Sequence, residues 1–104
     1  MRIARYDATM AERNALVDRA VALGPGPNPP ELEAALRAIY DAEVKRLKAI
    51  AARPLKTLAE LAAAARILTS LIDEDAWIEH QPALAKRIAT DLAKLAAGNT
   101  SPHN

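Results

Sequence analysis

The one plausible metal-binding constellation in this sequence is a cluster of acids with one histidine in a short segment, DEDAWIEHQP. Their carboxylates could hold a hard divalent ion, although the spacing matches neither an EF-hand loop nor a zinc-protease motif. Acids at a helix boundary also act as caps in solvent, with Trp77 and Ile78 turned into the core. We favour the capping interpretation and predict no metal site at Asp73, Glu74, Asp75, Glu79 and His80.

No combination of nucleophile and base is evident elsewhere. His103 and Ser101 lie in the C-terminal tail, and Ser70 lies within an apolar segment. All three glycines fall at expected helix ends, so the chain has no glycine-rich phosphate loop. The absence of cysteine excludes disulfides and thiolate metal sites and favours a reducing compartment. The sequence predicts a protein that is not an enzyme and binds no cofactor.

The composition favours helices over strands. Alanine is abundant, Phe is absent, and only Tyr6, Tyr40 and Trp77 are aromatic among 104 residues. The formal net charge of +1 creates no overall attraction to nucleic acids or anionic membranes. The most apolar window, residues 55–72, is too short and too charged to span a bilayer, and no signal peptide is apparent. We expect a cytoplasmic protein with no membrane association.

Three breaks divide the chain into four predicted helices. The breaks fall at residues 24–28, 53–56 and 73–81, and the helices run over about 9–23, 29–52, 58–72 and 82–97, the last one stopped by Gly98. Because 104 residues suit one domain, we predict a single all-α bundle over residues 1–104, with frayed ends at 1–8 and 99–104.

Local signals support each break. Gly24 can adopt the left-handed conformation that ends a helix. Asn28 is a favoured N-cap and has capping-box spacing to Glu31, and Thr57 with Glu60 forms a second such box. Each break is therefore interpreted as an elbow between helices.

Helical spacing of apolar residues predicts the core. The second helix carries one apolar stripe, whereas the third is apolar over two adjacent faces, which is typical of a central helix or one buried in an oligomer. Asn14 interrupts the stripe of the first helix, which we expect to be the least firmly packed. The predicted core includes Leu36, Leu47, Leu61, Leu68, Ile88 and Leu92.

A basic stretch crosses the second break and contains no acidic residue. A solvated helix end is the simpler interpretation, but a phosphate-contacting patch in a nucleic-acid-binding accessory or regulatory protein is the alternative. The candidate contacts are Lys45, Arg46, Lys48, Arg53 and Lys56.

Two segments, RPLKTLAELAAAARIL at 53–68 and LAKRIATDLAKLA at 84–97, carry a resemblance over about half the chain. They resemble small, Ala-rich, all-helical proteins of unknown function from alphaproteobacterial genomes, often near prophage or mobile genes. That group tends to have Gly at the place of Glu60 and Lys near Ala64. The resemblance implies a helical fold without catalytic residues, and an adaptor or small inhibitor encoded by a mobile element. The matching positions are Pro54, Thr57, Leu58, Ala59, Asp91 and Leu92.

The apolar third helix favours a non-catalytic interaction or oligomerisation module. A homodimer or another protein partner would cover the apolar surface that the flanking helices leave exposed. In the alternative, the first helix folds over that surface and the chain stays monomeric. The candidate contacts for self-association are Leu58, Leu61, Ala62, Ala65, Leu68 and Ile72.

Overall fold

The computed structural model describes residues 2–100, with the backbone alone at 99 and 100. Over these residues it contains four α-helices and no strand. They are α1 (Arg2–Ala22), α2 (Pro30–Ala52), α3 (Leu58–Asp73) and α4 (Gln81–Thr100), and a short 3₁₀ helix, Ile78–His80, precedes α4. The predicted all-α fold with three breaks is confirmed.

The helices form two compact units. The N-terminal unit, Met1–Arg46, contains α1 and most of α2, and the C-terminal unit, Leu47–Asn104, contains the end of α2 with α3 and α4. Helix α2 is continuous through the boundary between them. The single domain expected from the chain length stays a prediction.

Both ends of the helical region differ from expectation. Helix α1 begins at Arg2 rather than near residue 9, because Ile3 and Tyr6 are buried and extend its apolar stripe toward the N-terminus. Burial of these side chains stabilises a first turn that has no acidic residue. At the other end, α4 continues through Gly98 to Thr100, so the predicted stop is wrong. The remainder of the predicted frayed tail, 101–104, lies outside the described residues.

The first elbow forms as predicted on one side and differently on the other. Gly24 adopts a left-handed φ of +81° and its N–H donates to the Val21 carbonyl, which ends α1. Asn28 Nδ2 donates to Glu33 Oε1 at 3.0 Å, so the expected pairing with Glu31 is wrong. The reason is that α2 begins at Pro30, which shifts its first turn along the chain.

The predicted capping box at the start of α3 is confirmed. Thr57 Oγ1 accepts from the Glu60 N–H at 3.1 Å, and Glu60 Oε1 accepts from the Thr57 N–H at 3.2 Å. The same carboxylate oxygen also accepts from the Lys56 N–H at 2.8 Å. One acidic side chain therefore binds two backbone donors and fixes where α3 begins.

An ion pair lies within the core of the N-terminal unit. Glu43 is fully buried on the stripe that contains Leu36 and Ile39, and its Oε1 lies 3.8 Å from Arg13 Nη1. The Arg13 side chain is 19% exposed. The neighbouring Asn14 is exposed, so the polar residue that interrupts the apolar stripe of α1 is Arg13 rather than Asn14. Because isolated buried charges are costly, this pairing favours the burial of Glu43.

The C-terminal unit has an apolar core with one buried acid. Of the predicted core residues in the whole chain, Leu36, Leu47 and Leu61 are buried, and Leu68 and Ile88 are half-buried. Leu92 is 47% exposed, so its assignment to the core is wrong. The apolar residues buried in this unit are Leu47, Ile50, Leu55, Leu61, Ala64, Ile67, Leu71 and Leu84.

Candidate interaction surface

The acidic segment after α3 forms a helix-terminating turn. The Ala76 N–H donates to the Leu71 carbonyl at 2.9 Å and the Asp75 N–H to the Ile72 carbonyl at 3.2 Å, the two bonds of a Schellman motif. Asp75 holds the left-handed position of this motif with a φ of 51°. These backbone bonds stop α3 without a glycine.

The side chains of this segment do not assemble into a metal centre. Trp77 also has a left-handed φ of 51°, and its ring lies 6.2 Å from that of His80 in a tilted arrangement. Within residues 2–100, no three His, Asp or Glu side chains group together as ligands for a metal ion. Trp77 is half-buried as the capping interpretation requires, but Ile78 is 63% exposed, so its predicted burial is wrong.

Among the described residues, the other candidates for catalysis or nucleic-acid contact lie mostly on the surface. Ser70 is exposed on α3, and Ser101 and His103 lie outside the described residues. The basic residues lie on the surface, apart from Arg46, which is half-buried. Contact with nucleic acid stays a prediction for Lys45, Arg46, Lys48, Arg53 and Lys56.

Asp91 connects α4 to the segment that precedes α3. Its Oδ2 accepts from the Leu55 N–H at 2.6 Å, and its two oxygens accept from Arg87 Nε and Nη2 at 2.8 and 2.9 Å. Both Leu55 and Asp91 are 3% exposed. The Asp91 carboxylate therefore binds the backbone just before the chain turns into α3.

These contacts perturb the acidity of Asp91. The hydrogen bond from the Leu55 N–H is the largest cause and holds the pKa of Asp91 below its ordinary value. Burial acts in the opposite direction, and Arg87 lowers the pKa through its hydrogen bonds and charge, with a smaller contribution from Lys94. The Asp91 carboxylate is therefore held in its charged form near neutral pH, the form that accepts the hydrogen bonds from the Leu55 N–H and Arg87.

Helix α3 presents an apolar surface to solvent beside its buried face. Leu58 is 65% exposed and Ile72 53% exposed, and both ends of the helix contribute to this surface. Thr69 lies on it as well, but its hydroxyl donates to the Ala65 carbonyl at 2.9 Å and needs no other partner. We call this the α3 surface, and it consists of Leu58, Ala62, Ala65, Leu68, Thr69 and Ile72.

An open groove of about 310 Å³ lies where the α3 surface meets the start of α4. Ile78, which is 63% exposed, lines this groove, and Pro82 and Ala85 contribute from α4. The polar lining residue, Gln81, donates from Nε2 to the carbonyls of Leu71 and Ala76 at 3.2 and 2.9 Å. Since the Gln81 donors are already bonded, the groove is better suited to apolar groups than to polar ones.

Five of the six residues predicted for self-association are accessible on this surface. Ala62 and Ala65 are exposed together with Leu58 and Ile72, and Leu68 is half-buried. Leu61 is the exception, because it is only 4% exposed and belongs to the core. The structure thus brings most of the predicted contacts onto one face of a single helix.

Sequence reasoning missed the two buried acids, although their spacing gave a signal. Glu43 lies four residues after Ile39 and four before Leu47, and Asp91 lies three after Ile88 and four before Leu95. Both positions belong to the helical stripe that faces the core. A charged residue in such a register predicts a buried partner on a neighbouring segment.

Comparisons with known proteins give no relative. The chain matches no protein-family model, no curated protein and no solved structure. Over the described residues, no helix has both the length and the apolar character required to cross a membrane. The geometry of the α3 surface is therefore the main basis for assigning a function.

Proposed function

We propose that this protein is a non-catalytic helical oligomerisation module, and that the α3 surface binds a second copy of the chain. The observation that carries the proposal is the exposure of large apolar side chains on one helix face, with no charged residue among them. Apolar patches of this kind on soluble proteins mark interaction sites. The proposal also includes action in a reducing compartment such as the cytoplasm, for which the cysteine-free sequence is the support.

The expected affinity follows from the apolar side chains that remain exposed. Full burial of a Leu or Ile contributes about 1.5–3 kcal/mol, so burying the remaining surface of Leu58, Ile72 and Ile78 contributes about 1–2 kcal/mol each. Two copies together gain roughly 6–12 kcal/mol, against an association cost of about 4–15 kcal/mol. Since the cost is of the same size as the gain, any dimer is weak and concentration-dependent. Only the favourable ends of both ranges, about 12 against about 4 kcal/mol, bring dissociation to about 1 µM, so the concentrations to search run from about 1 to 100 µM.

Light scattering and sedimentation of the purified chain across that concentration range test the proposal. The double variant Leu58→Glu/Ile72→Glu should be monomeric throughout, because two charged side chains would be buried in the interface. Val21→Glu is the matched control, since Val21 is an apolar helical residue that is 73% exposed in the N-terminal unit.

Two results would contradict the proposal. The first is a wild-type chain that remains monomeric up to about 100 µM, a concentration at which a useful self-interaction would populate the dimer. The second is dissociation by Val21→Glu but not by the double variant. An adaptor or inhibitor role for a mobile element stays a prediction that the sequence resemblance implies.

A further inference from the structure

We infer that the second copy binds the α3 surface in the antiparallel orientation, about a two-fold axis that passes close to Ala65. This inference rests on the proposed function and adds the identity and direction of the partner helix. Two independent features support it. They are the order of large and small side chains along α3 and the charges at its two ends.

The α3 surface is self-complementary when one copy is reversed. Leu58 and Ile72 each lie seven residues from Ala65, and Ala62 and Leu68 each lie three residues from it. Reversal about Ala65 therefore places Leu58 against Ile72 of the second copy and the small Ala62 against the larger Leu68. Large side chains opposite small ones interdigitate well, and Ala65 at the axis permits close approach of the two helices.

The segments that flank α3 carry a basic residue before its start and acidic residues at its end, whereas its first turn contains the favourable acid Glu60. Lys56 precedes the positive N-terminal end, and Asp73 and Asp75 lie at the negative C-terminal end, which has no basic residue in its last turn. Glu60 is the acid of the first turn, and its carboxylate accepts the capping hydrogen bonds.

An antiparallel copy compensates both ends at once. It brings Lys56 of each copy to the acidic C-terminal end of the other, whereas a parallel copy would place like charges together. Opposite charges across an interface fix its register and disfavour the wrong orientation. Lys56 and Asp73, which are each unfavourable for the dipole of α3 alone, thus come into a favourable arrangement in the antiparallel pair.

Chemical cross-linking measures the orientation directly, because the chain contains no native cysteine. Ala65→Cys should cross-link to itself with a short bismaleimide. Leu58→Cys and Ile72→Cys should cross-link when mixed, and each should fail to do so alone. Circular dichroism confirms that the variants are helical. Self-cross-linking of Leu58→Cys in a chain that light scattering shows to be dimeric would overturn the orientation while leaving the proposed function intact.

Charge reversal in the otherwise native chain gives a second measurement. Lys56→Glu and Asp73→Lys should each weaken the dimer by about 3- to 10-fold, although each improves the match to the dipole of α3 itself. The combined variant should restore the wild-type affinity, because the antiparallel pair regains opposite charges. Lys45→Glu, in the N-terminal unit, is the control and should leave the affinity unchanged.

The pattern of outcomes separates the two ideas. Weakening by both single variants without rescue in the combined variant would contradict the antiparallel register. Absence of any dimer in the wild-type chain would instead remove the proposed function on which the inference rests.

Discussion

Both units of this chain bury a charged pair and leave some apolar side chains in solvent, and they differ in how these are arranged. In the N-terminal unit, Arg13 and Glu43 pair across two helices, whereas the C-terminal unit leaves Leu58 and Ile72 in solvent on one face of a single helix. A buried ion pair adds little net stability but strongly disfavours arrangements that separate its partners. An exposed apolar face instead gains free energy only when something covers it. A buried ion pair therefore favours one arrangement of the helices within its unit, whereas an exposed apolar face favours the binding of a partner.

The largest expected effect tests the buried pair of the N-terminal unit. Arg13→Ala should lower the free energy of unfolding by about 3–5 kcal/mol, because it leaves the fully buried Glu43 without this cation. Glu43→Ala should cost less, since the Arg13 side chain retains some access to water. Urea denaturation of both variants provides the measurement.

A paired replacement serves as the control. Arg13→Met/Glu43→Leu should be close to wild type in stability or exceed it, because apolar side chains of similar size need no charge partner. If both alanine variants lowered the free energy of unfolding by equal and small amounts, the ion pair would not determine how the helices of this unit pack.

The next effect sharpens the distinction between the buried and exposed faces of α3. Leu61→Ala should lower the free energy of unfolding by about 2–5 kcal/mol, whereas Leu58→Ala in the monomer should change it by less than about 0.5 kcal/mol. The reason is that Leu61 is 4% exposed and Leu58 65% exposed. Thermal unfolding at low protein concentration measures both, and similar losses for the two variants would contradict the assignment of the faces.

The buried acid of the C-terminal unit predicts a dependence on pH. Because the pKa of Asp91 is lower in the folded chain, its contribution is fully present above the ordinary pKa of about 3.8 and is lost as the pH falls through the folded value. Asp91→Asn should therefore lower the melting temperature by about 5–15 °C at pH 7 and converge with wild type at the acidic extreme.

Arg87→Gln distinguishes the two causes of the Asp91 shift. This substitution preserves the hydrogen bond from the Leu55 N–H, which is the larger cause of the lowered Asp91 pKa. Arg87→Gln should therefore change the acid unfolding transition less than Asp91→Asn does. A larger effect of Arg87→Gln than of Asp91→Asn would contradict this order of contributions.

The smallest effect concerns the turn after α3. Asp75→Gly should raise the free energy of unfolding by about 0.5–1 kcal/mol, because Asp75 holds a left-handed φ of 51° that glycine adopts without steric cost. The adjacent Glu74 has a φ of −94°, so Glu74→Gly should be destabilising by a similar amount. Calorimetry of the two variants checks that the free energy of unfolding rises for Asp75→Gly and falls for Glu74→Gly.

The sequence by itself determined the helical class, the three breaks and the capping box of Thr57 and Glu60. These features depend on backbone preferences and contacts within a few residues, which are visible in the order of amino acids. Most residues of the α3 surface could be selected in the same way, because helical spacing defines a face.

Tertiary structure alone decided which faces are covered and which charges are paired. Spacing places both Leu61 and Leu58 on apolar faces, but only packing against α4 and its neighbours determines that the first is buried and the second exposed. Arg13 with Glu43 and Leu55 with Asp91 are separated by 30 and 36 residues along the chain. Local propensity holds no information about such contacts, because each forms only when folding brings distant segments together and removes water from both partners.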